Sequence, residues 1–414
     1  MLKLKLHWQI LIAMIFGIIF GIYYQNFGGN EGISYSIITS LGTIFIRLLK
    51  MIIVPLIFCS IVSGVSGIEN NSKLGRIGIK TFSYYFVTSL LAILVGLTLT
   101  NLIQPGLGTS LNYDTNFDAN SIQKPGSPAE ILIRMIPINP IQAASSGDML
   151  GIIFFAIFLG FGITQISDES SNLLKNLFKS IFEAMMKITQ IIIQMAPIGV
   201  FGLITKSISI SGITIFSVIG KYMITIAFGL SIHLFVTLPL LFYLTTKINP
   251  IKHFYSMSSA MATAFSTSSS NATLPMTIKC VKENAGVSNE VSSFVLPMGA
   301  TINMDGTALY ECAGVLFISQ VLGIELTLLQ QCIIVLTALL ASIGAAGIPS
   351  AGLVMIFIVT QAVGFNDQDV AMIIGTMLAV DRPLDMMRTM VNIFSDSMGA
   401  SIIANSEGEK LYNS

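Results

Sequence analysis

The stretch SMSSAMATAFSTSSSNATLP, at residues 256–275, has the length of a membrane span but not its composition. A second stretch, LTALLASIGAAGIPSAGLVMIFIVTQA at residues 336–362, shares this property. Each is broken near its middle by a polar or glycine-containing turn with a proline. The irregular backbone of such a turn cannot face lipid, because each unpaired N–H or C=O group costs several kcal/mol there. We therefore expect two re-entrant helical hairpins, at 254–277 and 335–363.

Each predicted hairpin is followed by a helix that carries an asparagine and an aspartate. The first of these helices contains Asn303 and Asp305, and the second contains Asn392 and Asp396. The charges of the loops place the ends of the first hairpin inside the cell and those of the second outside. This arrangement is an inverted repeat, which is common in secondary transporters and places the binding site where the repeats meet.

The remaining chain consists largely of apolar stretches. Of its 414 residues 53 % are hydrophobic and only 10 % are charged, whereas soluble proteins carry about 25 % charged residues. A membrane-crossing helix needs roughly 20 mostly apolar residues. The sequence predicts about eight such spans, at 7–25, 37–67, 79–104, 149–166, 185–206, 213–246, 291–322 and 369–404. The fold class is therefore an all-α polytopic membrane protein.

Basic residues precede the first span and follow the second, fourth and sixth, and they orient the chain. They are Lys3, Lys5, Lys73, Arg76, Lys80, Lys175, Lys179, Lys247 and Lys252. Positive charges favour the cytoplasmic side, so both termini are expected in the cytoplasm and the protein in the cell inner (plasma) membrane. Lys plus Arg number 21, as do Asp plus Glu, so nothing points to a nucleic-acid partner.

The last span, VDRPLDMMRTMVNIFSDSMGA at 380–400, is rich in polar groups. At about 100° per residue, five of them lie within roughly 80° of one another: Asp381, Asp385, Arg388, Asn392 and Asp396. Each charge at bilayer depth costs about 2.5–3.5 kcal/mol on insertion scales. One interpretation is a structural ion-pair ladder, above all between Asp385 and Arg388. The other is a site in which Arg388 holds a carboxylate and Asp385 an ammonium group.

The motif TINMDGTALYE at 301–311 predicts a helix that unwinds inside the membrane, since a helix-interior glycine costs about 1 kcal/mol. Hard monovalent cations favour several oxygen ligands, which Asn303, Asp305, Asn392 and Asp396 are able to supply. A hydrogen-bonded kink without an ion is the alternative. In the first hairpin, the serine run 268–270 lies where helix N-termini would present N–H groups to an anion.

Five motifs resemble those of the dicarboxylate/amino acid:cation symporter family, the prokaryotic glutamate and aspartate transporters and their excitatory amino acid transporter relatives. The motifs run nearly end to end: IRLLKMIIVPLIFCSIVSGV (46–65), SSSNATLP (268–275), NMDGTALYE (303–311), AAGIPSAG (345–352) and DRPLDMMRTMVNIFSDS (381–397). The resemblance implies a homotrimer working by an elevator-type mechanism. Residues 1–78 and 105–210 would form the scaffold, and residues 79–104 and 211–414 the transport domain.

The resemblance also implies a set of site residues. The substrate would contact Arg388, Asp385, Thr389, Asn392, Ser269, Ser270, Thr307, Gly347 and Ile348. Sodium ions would bind at Asn303, Asp305, Asn392, Asp396, Gly299, Tyr85, Thr88, Ser89, Ser342 and Ile343. Glu311 occupies a position linked in animal relatives to proton coupling, and desolvation favours the neutral form of a carboxylic acid.

The predicted function is sodium-coupled uptake of aspartate or glutamate, with protons as a further possible coupling ion. A carrier of C4-dicarboxylates has no need of an ammonium acceptor such as Asp385, and a carrier of neutral amino acids has no need of Arg388. An ion channel needs neither an ammonium acceptor nor a carboxylate-binding arginine. An intramembrane aspartyl protease would need facing acids such as Asp305 and Asp396, but the usual Y-D and G-x-G-D patterns are absent. No enzymatic activity and no organic cofactor are expected.

Overall fold

The computed structural model describes residues 6–27, 32–66, 72–107, 133, 136–146, 148–212, 215–344, 351–365 and 367–412. These residues form α-helices and no strand. The helices are α1 (Leu6–Phe27), α2 (Ile33–Ser66), α3 (Ser72–Ile103), α4 (Pro140–Ser146), α5 (Met149–Ile163), α6 (Asp168–Gln194), α7 (Ala196–Ser211), α8 (Ile215–Ile232), α9 (Leu238–Thr246), α10 (Pro250–Thr267), α11 (Ser270–Glu283), α12 (Asn289–Ile302), α13 (Asp305–Val321), α14 (Leu328–Gly344), α15 (Ala351–Ala362) and α16 (Asp367–Ser406). A π-helical turn, His233–Thr237, joins α8 to α9.

Two helical stretches in these ranges are long and apolar enough to cross a membrane, Arg76–Ile103 and Ser217–Thr246. A third arises if Asp168–Ile192 and Ala196–Ile210, which are bent by 55° at their junction, form one span. Several other predicted spans correspond to shorter apolar helices, and α16 carries charges within its apolar length. The total of about eight spans therefore stays a prediction.

Two predicted spans are divided in the structure. The stretch 185–206 is split between α6 and α7, where Pro197 lies in the first turn of α7 and cannot continue a helix from before it. The stretch 291–322 is split between α12 and α13, at the NMDG motif where the sequence predicts unwinding. The helix α3 begins at Ser72, so the boundary expected at 78 falls inside it.

Two pairs of helices form helical hairpins. In the first, α10 packs against α11 through a two-residue turn. Ser268 adopts a left-handed conformation with φ of 51°, and the Ser269 hydroxyl caps α11 by accepting a hydrogen bond from the Ala272 N–H. In the second, α14 packs against α15, and residues 345–350 between them lie outside the described ranges. Both stretches that the sequence predicts as hairpins therefore contain a pair of packed helices, and their re-entrant course in a membrane stays a prediction.

The helices pack as two groups. The first group comprises α1, α2, α5, α6 and α7, and the second comprises α3 and α8 to α16. Glycines allow close approach within the first group: a Cβ atom built on Gly21 would lie 2.6 Å from Ile208 of α7. Helix α16 runs through the second group, where it touches α3, α8 to α13 and α15, and it also contacts α1 and α7 of the first group. It therefore stands where both hairpins and the NMDG break converge.

Candidate functional site

The polar stripe of α16 faces the protein interior. Its five members are only 1 % to 5 % exposed: Asp381, Asp385, Arg388, Asn392 and Asp396. Side chains three and four residues apart share one helix face, so the sequence spacing alone brings them together. Charged groups are almost never this buried unless they are paired or used for binding. The stripe therefore faces other helices and not lipid.

Arg388 is held by two acids and one aromatic ring. Its Nη2 atom donates to Asp381 Oδ1 over 3.0 Å and to Asp385 Oδ1 over 2.8 Å. The guanidinium carbon lies 3.8 Å from the centre of the Tyr310 ring in α13, a cation–π contact. The ion-pair ladder considered from the sequence is thus present, and it fixes the arginine in place.

The ion pairs with Asp381 and Asp385 use only the Nη2 atom of Arg388. Its Nε and Nη1 atoms are buried and have no hydrogen-bond acceptor among the described residues. A Cβ atom built on Gly352, in the first turn of α15, would lie 2.5 Å from Nη1. The free donors therefore lie at the start of the second arm of hairpin two. A bidentate grip on a carboxylate uses Nη2 as well, so such a ligand must displace Asp381 or Asp385 from that atom.

Asn392 links α16 to the NMDG break. Its Oδ1 atom accepts from the Gly306 N–H over 2.8 Å, and its Nδ2 atom donates to Thr307 Oγ1 over 3.3 Å. One turn earlier, the Thr389 hydroxyl donates to the backbone oxygen of Asp385. The predicted substrate residues of α13 and α16 are therefore in contact in the folded chain.

Ser269 and Ser270 lie at the start of α11, the second arm of hairpin one, and this helix packs against α16. Ser270 is buried. Residues Gly347 and Ile348, which the resemblance places near the tip of hairpin two, lie outside the described ranges.

Asp305 forms the first of two buried acid clusters. Its Oδ1 atom accepts from Ser89 Oγ over 2.8 Å, and its Oδ2 atom accepts from Ser395 Oγ over 2.6 Å. His233 Nε2 lies 3.3 Å from Oδ2. The carboxylate thus joins α3, α16 and the π-helical turn at a single point.

Asp396 forms the second cluster together with Asn303. Asn303 Nδ2 donates to Asp396 Oδ1 over 2.9 Å and to Ser395 Oγ over 3.1 Å, so Ser395 touches both acid clusters. Thr88 Oγ1 lies 3.5 Å from Asn303 Oδ1. A Cβ atom on Gly299 would lie 2.5 Å from Asp396 Oδ1, so the backbone of α12 passes directly beside this carboxylate.

The clustered oxygens suit a hard monovalent cation. They come from two carboxylates, one amide and several hydroxyls, and the Tyr85 hydroxyl lies 2.7 Å from the Cβ position of Gly299. The described part of the chain contains no group of three or more His, Cys, Asp and Glu side chains suited to a metal ion. Neutral oxygens alongside one carboxylate at a time match a singly charged ion better than a transition metal.

Three further predicted residues lie apart from these clusters. The Ser342 hydroxyl donates to the Leu339 carbonyl of its own helix, and Ile343 follows in α14. Glu311 is fully buried in α13, and neither carboxyl oxygen has a hydrogen-bond partner among the described residues.

Three contributors escaped the sequence reasoning. Ser395 connects the two clusters, Tyr310 supports Arg388, and His233 touches Asp305. Ser395 precedes Asp396 and lies one turn after Asn392, so its position beside the polar stripe of α16 could have identified it from the sequence. Tyr310 and His233 are single residues in apolar runs, and no spacing distinguishes them from ordinary core residues.

Comparison with known proteins agrees with this geometry. The chain matches the Sodium:dicarboxylate symporter family over residues 6–406. It is 35 % identical to Excitatory amino acid transporter 3 of Mus musculus, with 97 % of this chain and 86 % of the relative covered. It is 32 % identical to the Proton/glutamate-aspartate symporter of Escherichia coli (strain K12), covering 98 % and 94 %. It is 33 % identical to the Proton/sodium-glutamate symport protein of Geobacillus stearothermophilus, covering 99 % and 96 %. The chain therefore belongs to the sodium:dicarboxylate symporter family.

Proposed function

We propose that this protein is a secondary active symporter that takes up an acidic amino acid, aspartate or glutamate, together with sodium ions. The observation that carries the proposal is the buried stripe of α16, where Arg388 keeps free donors beside two carboxylates. A guanidinium and a carboxylate about one helical turn apart match the two ends of a small zwitterion. The names of the relatives in mouse and in both bacteria point to the same substrate class.

In the proposed complex, the carboxylate of the substrate side chain takes Nη1 and one Nη2 hydrogen of Arg388. Asp385, released from Nη2, accepts the substrate ammonium group, so each charge exchanges one partner for another. Thr389, Asn392 and Thr307 supply polar contacts around the substrate backbone, and hairpin one contributes Ser269 and Ser270. Gly347 and Ile348 of hairpin two would cover the substrate.

Sodium ions are co-transported at the two acid clusters. One site comprises Asn303, Asn392 and Asp396 with the Gly299 carbonyl, and the other comprises Asp305, Asn303, Tyr85, Thr88 and Ser89. A third site is formed by backbone around Ser342 and Ile343. Because Asn392 takes part in both the cation and substrate sites, sodium binding raises substrate affinity and the substrate raises sodium affinity equally.

The two helix groups support a division into a moving and a fixed part. Residues 79–104 and 211–414 form a transport domain that carries the site as an elevator, and residues 1–78 and 105–210 form the scaffold of a homotrimer. The chain lies in the cell inner membrane with about eight spans, two re-entrant hairpins and both termini in the cytoplasm.

Uptake into proteoliposomes tests this function. Aspartate, glutamate, succinate and serine are offered with and without an inward sodium gradient. We expect aspartate or glutamate to accumulate only with the gradient. Accumulation without sodium, or a preference for succinate or serine, would contradict the proposal, since Asp385 and Arg388 together require both an amine and an acid.

Glu311 supports proton coupling as an addition to sodium coupling. A buried carboxyl group without a hydrogen-bond partner is costly in its charged form, so Glu311 is suited to carrying a proton. Glu311→Gln keeps the shape and removes the titrating proton. We expect the pH dependence of uptake to flatten in this variant while sodium dependence persists. If the pH profile equals that of the unmodified protein, Glu311 carries no coupled proton.

A further inference from the structure

We propose that His233 is a positioning residue for the cation cluster: its ring holds the Asp305 carboxylate in the orientation that receives sodium. This inference rests on the proposed function, because it assumes that the Asp305 cluster binds a cation. His233 lies on the helix before hairpin one, which the sequence reasoning did not connect with any site. The inference adds to the predicted sodium ligands a residue, His233, that does not bind the cation itself but orients the ligand Asp305.

The geometry around Asp305 carries the inference. His233 and Asp305 are both fully buried, and His233 Nε2 lies 3.3 Å from Asp305 Oδ2. A carboxylate oxygen accepts, so this contact is a hydrogen bond when the ring hydrogen is on Nε2, and the proposal assigns that tautomer. Oδ2 then receives two donors, from His233 and Ser395, whereas Oδ1 receives one, from Ser89. The less occupied Oδ1 is the oxygen left to face a cation.

The backbone at His233 departs from an ordinary helix. His233 opens the π-helical turn His233–Thr237, and its carbonyl accepts from the Leu238 N–H, five residues along. Such turns insert one extra residue into a helix and frequently occur at functional sites. Within this turn His233 and Leu234 are buried, whereas Phe235 and Val236 are more than half exposed. The turn therefore keeps the His233 side chain on its buried side.

This arrangement parallels the partners that orient ligands in metal sites. A ligating carboxylate is itself hydrogen-bonded, and losing such an outer partner typically weakens ion binding by about 10- to 100-fold. Without the His233 N–H, Asp305 keeps only two of its three donors and is freer to turn. The expected effect is weaker sodium binding, with substrate recognition at Arg388 left in place.

Three substitutions test the role by the sodium concentration that gives half-maximal aspartate or glutamate uptake. His233→Gln keeps an N–H donor of similar reach, and His233→Met keeps the volume but has no donor. His233→Asn has a polar amide that is too short to reach Asp305. We expect about a tenfold rise in half-saturating sodium for the Met and Asn variants and less than about a threefold rise for the Gln variant. Val236→Ala, on the exposed side of the same turn, is the matched control and should match the unmodified protein.

The outcomes separate the inference from the proposed function. If the unmodified protein shows no sodium-dependent uptake, the proposed function fails. If it does, but the Met or Asn variant keeps its half-saturating sodium concentration, His233 does not position Asp305. An equal rise in half-saturating sodium in the Gln variant also overturns the role. Equal effects with and without an N–H donor would mean that the histidine is needed only for packing. Should the Met variant fail to fold, the comparison of Asn with Gln still decides.

Discussion

Arg388 uses a single nitrogen, Nη2, to contact both Asp381 and Asp385, and it stacks on Tyr310. Its other donors are left for a ligand. Arg388→Cys removes the only group proposed to bind the substrate side chain, so we expect acidic amino-acid uptake to fall at least 100-fold, about 2.7 kcal/mol. Uptake of a neutral amino acid is expected to persist or to appear. Radiolabelled aspartate, glutamate and serine measure both effects.

Arg382→Cys is the control for this substitution. Arg382 lies on the same helix, is partly exposed, and its Nη1 atom is 3.8 Å from Asp385 Oδ2. It should keep most of the uptake activity. Retained aspartate and glutamate uptake after Arg388→Cys would refute the proposed role of the guanidinium.

At the residue scale, the sequence brings together the polar positions of a helix that repeats its signal, and their role as a binding site stays a prediction. The five polar positions of α16 recur every three to four residues, and all are buried in contact with the NMDG break or with one another. Sequence reasoning could not find His233, whose partner Asp305 is 72 residues away and on another helix. Contacts of that kind depend on tertiary packing, which no local spacing encodes.

At the scale of elements, α7 approaches α2 through glycine. A Cβ atom on Gly202 would contact the Ile38 carbonyl oxygen and lie 2.7 Å from the Gly42 nitrogen, both backbone atoms that cannot move aside. We therefore expect Gly202→Ala to destabilise the protein by about 1–3 kcal/mol, despite the better helix propensity of alanine. Thermal unfolding of the purified protein in detergent measures the change.

Gly220→Ala isolates the propensity effect. A Cβ atom at Gly220 in α8 meets nothing within 4 Å. This variant should be neutral or more stable by up to about 1 kcal/mol. Equal melting temperatures for the two variants would mean that α7 and α2 do not pack at the distance described.

A second element, the segment 407–412 after α16, ties several helices together. Glu407 bonds to Arg76 and Lys80 of α3, and Glu409 Oε2 accepts from the Ser288 N–H over 2.8 Å. The Tyr412 N–H donates to the Ala285 carbonyl, and the Tyr412 hydroxyl lies 2.6 Å from His253 Nδ1. The segment therefore fastens α3, α10 and the loop between α11 and α12 to the end of α16.

Glu407 makes the attachment of segment 407–412 to α3 sensitive to low pH. Hydrogen bonds from Arg76 and then Lys80 lower the pKa of Glu407 from 4.5 to about 2. A carboxyl with a lowered pKa stabilises the folded state above its unfolded pKa and loses this contribution as the pH falls toward the folded value. We expect hydrogen exchange of residues 407–412, corrected for intrinsic rate, to be constant from neutral pH to about 4.5 and to rise below it.

Glu407→Gln should produce the same loosening at neutral pH. The matched control is Glu283→Gln, because Glu283 is exposed and lies 4.0 Å from Lys279 in an isolated surface pair. Unaltered exchange of residues 407–412 in the Glu407→Gln variant would show that the other contacts suffice to hold the segment.

At the scale of the whole molecule, the sequence predicted the helical class, the places of the two packed helix pairs and the break at NMDG, while the re-entrant course of the two hairpins stays a prediction. These features follow from composition, from paired weakly apolar stretches and from a glycine in mid-span. The sequence did not predict the break at Met195, because apolar residues continue on both sides of it. The grouping of helices depends on distant contacts such as α3 with α13, which local hydropathy does not specify.

Leu203 of α7 offers a test of movement between the two helix groups. A Cβ atom on Gly375 of α16 would lie 2.8 Å from Leu203 Cβ, and one on Gly42 of α2 would lie 2.8 Å from Leu203 Cγ. The first contact crosses between the groups, and the second stays within one. We expect a disulfide in Leu203→Cys/Gly375→Cys to stop uptake reversibly, since it ties the proposed transport domain to the scaffold.

The Leu203→Cys/Gly42→Cys pair is the control and should transport normally when oxidised. Both pairs are compared in a background without the four native cysteines, Cys59, Cys280, Cys312 and Cys332. Undiminished uptake in the fully oxidised Leu203→Cys/Gly375→Cys protein would exclude relative movement at this contact.

The close approach of Gly352 to Arg388 has a consequence for the evolution of the family. A side chain at position 352 would occupy space beside Nη1 of the arginine. A larger residue at 352 would therefore require the guanidinium of Arg388 to shift, and we expect the two positions to change together in descendants that transport a different substrate. A first substitution at 388 would change the specificity and open room, and a second at 352 would use that room to fit the new substrate.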